Sequence, residues 1–188
     1  NLGALKSDPK VLRNVAYTIV PDAAHGYVGK VAITYNHIGT FDKFTSRYRT
    51  YTRVYVPAGS KFLSSKGTLL NDHHFNTRLL PGHVDVVEEL GRVSFGAFTS
   101  IEPKRTGTLE FTFALAPSVI DSIRRGEYQL DVEKQKGTHN HGLTLNLDFG
   151  SLLRTAEPAE DPKNFGDNRY AFITDLLLNR HFSVGLRK

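Results

Sequence analysis

Arg47, Arg49, Tyr51, Arg53 and Tyr55 recur at every second position, and the two-residue period of a strand sends all five side chains to one face. Guanidinium groups fork onto carboxylates and phosphates, and tyrosine rings stack on sugars, so this face is a candidate platform for a glycan or an anionic polymer. The plainer account is a cross-strand ladder in which the same side chains pair with acidic and aromatic neighbours such as Glu110. His139 and His141 are also two apart and could present two imidazoles to one metal ion, with His73, His74 or His83 completing the set; solvated turn histidines are the competing account. Glu157, Glu160, Asp161 and Asp167 supply hard oxygens of the kind calcium takes, but their spacing matches no loop with a defined coordination order, and a solvated charged loop explains them equally. No nucleophile-type residue stands in a pattern that pairs it with a base. The expectation is a non-enzyme with no catalytic residues and no cofactor.

The elements that must hold these residues read as strands. Tyr48, Thr52, Val54 and Val56 form the opposite, more apolar parity of the Arg/Tyr segment, and Pro57 with Gly59 and Ser60 ends it. Val15, Tyr17 and Ile19 share one parity ahead of Pro21 and Asp22, and Val31, Ile33 and Tyr35 repeat the pattern before a polar stretch at 36–42. A short strand is expected around Phe62 and Leu63, followed by a polar loop over 71–82. Val93, Phe95 and Ala97 alternate with Ser94, Gly96 and Phe98, and the turn residues 104–107 suggest a hairpin into the strand of Leu109, Phe111, Phe113 and Leu115. One helical turn is expected after Pro117, capped by Ser118 and stopped by Gly126. Tyr128, Leu130 and Val132 mark another strand, and Leu143, Leu145, Leu147 and Phe149 give the cleanest alternation in the chain.

Strand signals separated by turn signals specify an all-β fold, an antiparallel β-sandwich of immunoglobulin-like or jelly-roll-like type with at most one or two short helices. At 188 residues the chain is read as a single domain, 1–188, in which 150–188 is a C-terminal extension whose packing the pattern leaves open. Within that extension Tyr170 to Leu178 reads as a buried strand or a short helix, and Phe182, Val184 and Leu186 as a last strand.

Composition narrows the function classes. With no cysteine, disulfides, thiol catalysis and cysteine zinc sites are excluded. A lysine isopeptide cross-link to Asn or Asp would suit such a chain, though no pair is singled out. With no methionine, the sequence is expected to be a processed product or a fragment that lacks its own start. No apolar run is long enough to span a bilayer. The 24 basic against 19 acidic residues leave +5 spread along the length, without a nucleic-acid motif, so nucleic acid is not an expected partner.

The order Asn1-Leu-Gly-Ala-Leu-Lys-Ser-Asp8, Val15-Ala-Tyr-Thr18, Ile33-Thr-Tyr-Asn36, Tyr48-Arg-Thr-Tyr-Thr-Arg-Val-Tyr-Val-Pro57 with Gly59-Ser60, and Glu89-Leu-Gly91 through Phe95-Gly96 resembles a bacterial family catalogued as domain of unknown function four-zero-one-two. Glu102-Pro103, Thr108-Leu-Glu-Phe111, Tyr128-Gln-Leu130 and Lys134-Gln-Lys-Gly-Thr138 continue the resemblance, which covers 1–149. It implies the C-terminal, extracytoplasmic part of a membrane-anchored cell-envelope protein, with the anchor in a preceding segment, and it implies no activity and no ligand residues. Two functions are therefore expected: a surface-displayed module for assembly or contact with an envelope protein or with itself, and a glycan- or anionic-polymer-binding module acting through Arg47, Arg49, Tyr51, Arg53 and Tyr55.

Overall fold

The computed structural model describes residues 6–74, 77–136 and 141–187. Among the described residues twelve strands form one large and two small sheets. The first two strands, β1 (Val11–Asp22) and β2 (Gly26–His37), are a long hairpin in register from Val11 opposite His37 to Asp22 opposite Gly26. Pro21 therefore does not end β1; it stays in the ladder, and Asp22 closes the turn by accepting from the amides of Ala24 and His25.

The large sheet is completed by β4 (Lys61–Lys66), β7 (Thr106–Ala114), β9 (Gly142–Asp148) and β11 (Arg169–Asp175), in the order β11-β9-β1-β2-β7-β4. Its pairings are antiparallel except β1 with β9, which run parallel from Asn14 beside Gly142 to Ile19 beside Leu147. The first small sheet joins β3 (Tyr48–Pro57), β6 (Arg92–Ile101) and β5 (Asp85–Glu89) in the order β3-β6-β5. The second joins β8 (Glu127–Val132), β12 (Arg180–Leu186) and β10 (Leu153–Glu157) in the order β10-β12-β8. The protein is thus an all-β, sandwich-like fold with one short α-helix, α1 (Pro117–Arg125), and a single 3-10 turn at Asp8–Lys10 among the described residues.

Packing between layers follows the alternation in the strands. Phe95 of β6 packs with tilted rings against Phe62, Phe111 and Phe113 of the large sheet, with ring centroids 5.6, 6.3 and 5.5 Å away. Phe182 of β12 meets Tyr170 and Phe172 of β11 at 6.3 and 5.8 Å, and Tyr128 of β8 meets Phe149 at 5.1 Å. Leu143, Leu145 and Leu147 of β9 are buried as their alternation requires. Burying side chains of this size contributes about 1.5–3 kcal/mol each relative to exposure.

Two further expectations change. The strand of Phe95 does not form a hairpin with that of Phe111: β6 pairs with β3 and β5, β7 pairs with β2 and β4, and the chain passes from one layer to the other at 102–105, with Lys104 at φ 63°. Turn residues show that the chain reverses, not whether the two strands share a sheet. The helix begins one residue before Ser118, on Pro117, with Ala116 as its N-cap and no side-chain cap. Gly126 does end it, at φ 92°, the left-handed conformation that a residue without Cβ adopts freely.

The C-terminal extension contributes to two sheets. β11 is a strand, an edge strand antiparallel to β9, while β12 pairs on both sides with β10 and β8. Leu153, Tyr170, Phe182, Val184 and Leu186 from this segment are fully buried.

Candidate functional site

The Arg/Tyr face lies on β3, preceded by Arg47. Val56, Thr50 and Tyr48 turn inward and are buried, and Tyr35 of the large sheet hydrogen-bonds with Thr52 at 2.8 Å, so the outward parity of Arg49, Tyr51, Arg53 and Tyr55 is fixed by the core on the other side.

Each outward group meets a carboxylate. Arg47 donates through Nε to Glu102 Oε1 at 2.5 Å. Arg49 donates through Nε to Asp72 Oδ2, from the loop over 71–82. Tyr51 donates its hydroxyl to Asp85, the first residue of β5. Tyr55 donates to Glu89 Oε1 at 2.9 Å, and Arg53 Nη1 stands 3.8 Å from the same oxygen while its guanidinium lies 5.6 Å from the Tyr51 ring centre. The ladder account is right in kind and wrong in its acid: Glu110 faces Lys30 and Lys66 on the large sheet instead.

The register explains how Tyr51 reaches across two strands. Arg53 pairs with Gly96, and Gly96 with Asp85. A Cβ on Gly96 would stand 2.8 Å from Tyr51 Cζ, so the ring lies over the glycine and passes its hydroxyl to the third strand. Burial and the Asp85 carboxylate push the Tyr51 phenol above its ordinary value, which keeps it a donor. At Asp72 burial pushes the carboxyl up, but the Arg49 guanidinium and the His74 amide outweigh this and hold it below its usual range. A shallow, open hollow of about 350 Å³ lies along this face, lined by Tyr51, Arg53, Asp85, Val87, Ser94 and Gly96 among others.

The strand has a second feature, along its edge. The two-residue turn Leu90-Gly91, both at positive φ, joins β5 to β6 and makes Glu89 and Arg92 a hydrogen-bonded pair. Even-numbered residues of β6 then bond toward β5, a direction shared by the Phe98 carbonyl, which accepts from Leu69. Odd-numbered residues of β6 bond to even-numbered residues of β3. The main-chain groups of Arg49, Tyr51, Arg53 and Tyr55 consequently point away from β6, and β3 has no strand on that side among the described residues.

The histidines are dispersed. His139 lies outside the described residues. His141 Nε2 sits 2.9 Å from Arg13 Nη1, His73 Nδ1 is 3.1 Å from the Thr77 carbonyl, and His83 stands 3.4 Å from Asp85. Among the described residues no three His, Asp or Glu side chains come together as a metal site would require. The acidic loop residues serve local structure: Asp161 accepts from the Lys163 amide and Asp167 from the Arg169 amide at 2.7 Å, while buried Glu160 accepts from the Ala171 amide at 2.7 Å.

Sequence reasoning missed the acids that complete the face and one buried cation. Glu89 and Asp85 were legible in principle, because Glu-Leu-Gly-Arg is a two-residue hairpin signal that sets both opposite β6. Asp72 had no such signal, since only the folded loop brings it to Arg49. Arg13, almost fully buried, bonds Asp8 and, at 2.5 Å, the Tyr48 hydroxyl, with its guanidinium 5.1 Å from the Tyr48 ring centre.

No family model and no curated protein matches the chain. Among solved structures it is similar to an M1 zinc metallopeptidase from Deinococcus radiodurans, at 11% identity and a TM-score of 0.35, with 94% of this chain and 42% of that one covered. The chain thus spans less than half of that structure, and a likeness at this score bears on neither fold nor activity.

Proposed function

We propose that this protein is a non-enzymatic β-sandwich module that assembles by strand addition at the outer edge of β3, as part of an extracytoplasmic cell-envelope protein. The envelope setting rests on the family resemblance. The assembly rests on one observation: an edge ten residues long whose outward main-chain groups belong to an alternating Arg-Tyr-Arg-Tyr series. Unpaired edges template pairing with another chain.

The series is complementary to itself. Two copies of β3 paired antiparallel about Thr52 set Arg49 opposite Tyr55 and Tyr51 opposite Arg53 of the second copy, with no like charges facing. The residues so paired are the odd-numbered ones whose main-chain groups point outward, so hydrogen bonding and side-chain complementarity agree. The arginines keep their own carboxylates, so neither Arg49 nor Arg53 meets the second copy as an unopposed charge.

Light scattering over a wide concentration range tests this, on the wild type and on Arg53→Pro, which removes one outward N–H without touching the β3–β6 ladder. Reversible association in the wild type and a folded monomer in the variant are expected. A wild type that stays monomeric, or association that survives Arg53→Pro, would overturn the reading.

The hollow over Gly96 favours a second reading, glycan binding. Its arginine is already opposed by Glu89 and its tyrosine by Asp85, so a neutral sugar stacked on Tyr51 fits better than an anionic polymer. Loss of binding in a glycan screen on Tyr51→Ala with Arg53→Ala, two residues that line the hollow, with the fold intact by circular dichroism, would support it; unchanged binding would remove it.

A further inference from the structure

We infer that the loop between β2 and β3 is a docking tip for an anionic lipid surface. Phe41 and Phe44 are each 58% exposed and Ile38 is 45% exposed, three large apolar side chains within seven residues. Isolated exposed apolar residues are ordinary, whereas several together on one exposed loop mark an interaction site.

The loop is built to hold this shape. Asp42 Oδ1 accepts from the amides of Phe44 at 2.7 Å and Thr45 at 2.8 Å, Thr40 donates to Asp42 Oδ2 at 3.2 Å, and the Asp42 amide returns to the Thr45 carbonyl at 3.0 Å. At its base, fully buried His37 accepts at Nδ1 from the Gly39 amide at 3.1 Å, which leaves Nε2 to donate to the Ser46 carbonyl at 2.8 Å. The tip is therefore preorganised, and docking orders little additional chain.

Cations ring it. The Lys43 ammonium lies 4.9 Å from the Phe44 ring centre, and Lys104 donates to the Ile38 carbonyl at 3.0 Å. Main-chain hydrogen bonds bring Lys6 to Phe44, Lys10 to Ile38 and Arg105 to His37. The carboxylates at this end are already engaged: Asp8 by Arg13, Asp42 by its own loop and Glu102 by Arg47, whose guanidinium also lies 5.1 Å from the Phe41 ring centre. Basic residues beside exposed aromatics match an anionic headgroup layer over hydrocarbon. Lysine is depleted in protein–protein interfaces, and four of these cations are lysines, which favours a lipid surface over a protein partner.

The chain contains no tryptophan, so Phe44→Trp places a single reporter at the tip. Its emission should shift to the blue with vesicles of phosphatidylglycerol and phosphatidylcholine, much less with phosphatidylcholine alone, and not with soluble polyglutamate. In co-sedimentation with the anionic vesicles, Phe41→Ser with Phe44→Ser should weaken binding roughly a hundredfold. Lys43→Glu with Lys104→Glu keeps both aromatics and should weaken it by at least about 25-fold. Phe41, Lys43 and Phe44 lie on this exposed loop and Lys104 on the exposed connection between β6 and β7, and an unchanged circular dichroism melt confirms the fold. No shift with anionic vesicles, equal binding by either double variant, or a response to polyglutamate matching that to vesicles would overturn the inference.

Discussion

Arg49 on β3 donates to Asp72, a carboxylate buried in the loop over 71–82, and this one pair fastens a long loop to the strand whose edge and face are the functional candidates. The loop closes further through Asn71, whose Nδ2 donates to the Arg78 carbonyl at 3.1 Å and whose Oδ1 accepts from the Leu80 amide at 2.8 Å.

Asp72→Ala removes a charge-assisted bond and leaves Arg49, still partly exposed, free to find water. The expected cost is about 1–3 kcal/mol in urea unfolding, with little change in the slope of the transition. A double-mutant cycle with Arg49→Ala should return a coupling energy well above zero; simple additivity would show that the pair does not hold the loop.

The same carboxylate sets a direction in pH. Its folded value lies below the unfolded one, so the native state releases this proton more readily. The stabilisation is full above about pH 4, the ordinary Asp range, and is lost as pH falls through the folded value. Melting temperature against pH should fall less steeply on the acid side in Asp72→Asn than in the wild type, and parallel curves would contradict the assignment.

Glu160 has the opposite sign. Burial raises its carboxyl, the Ala171 amide pulls it down less, and Asp167 adds to the rise, while Oε2 is buried without a hydrogen-bond partner among the described residues. A raised folded value means stability that is full below the unfolded value, about 4.3, and lost as pH rises through the folded one. Glu160→Gln keeps an acceptor for Ala171 and removes the charge, so at neutral pH it should unfold no earlier than the wild type. A variant clearly less stable at pH 7 would show that the charge itself is needed.

Phe95 lies between layers that the sequence pattern assigned to one hairpin. Phe95→Ala should cost about 3–5 kcal/mol, because Phe62, Phe111 and Phe113 cannot collapse together into the space without moving two sheets. A loss under 1 kcal/mol in chemical denaturation would contradict this packing.

Removing 151–188 should abolish cooperative unfolding, since β12 is the middle strand of its sheet and Leu153, Tyr170, Phe182 and Val184 go with it. A truncated chain that still melts sharply with native-like near-ultraviolet dichroism would show that the extension is dispensable.

The sequence by itself determined the strands and their parity. A period of two sorts Leu143, Leu145 and Leu147 inward and Arg49, Tyr51 and Arg53 outward with no knowledge of neighbours, because alternation is a local property of extended backbone. Gly126 ended the helix for an equally local reason. Partnership is a different matter. That β1 pairs in parallel with β9, that β6 and β7 lie in different layers, and that Asp72, Asp85 and Glu89 stand under the arginines and tyrosines of β3 are all contacts distant in the chain. They arise from which apolar faces bury each other best, and only the folded molecule settles that competition. The same division holds for the candidate site: its cations and rings were visible as letters, whereas their neutralisation by carboxylates, and the open edge beside them, came from the tertiary structure.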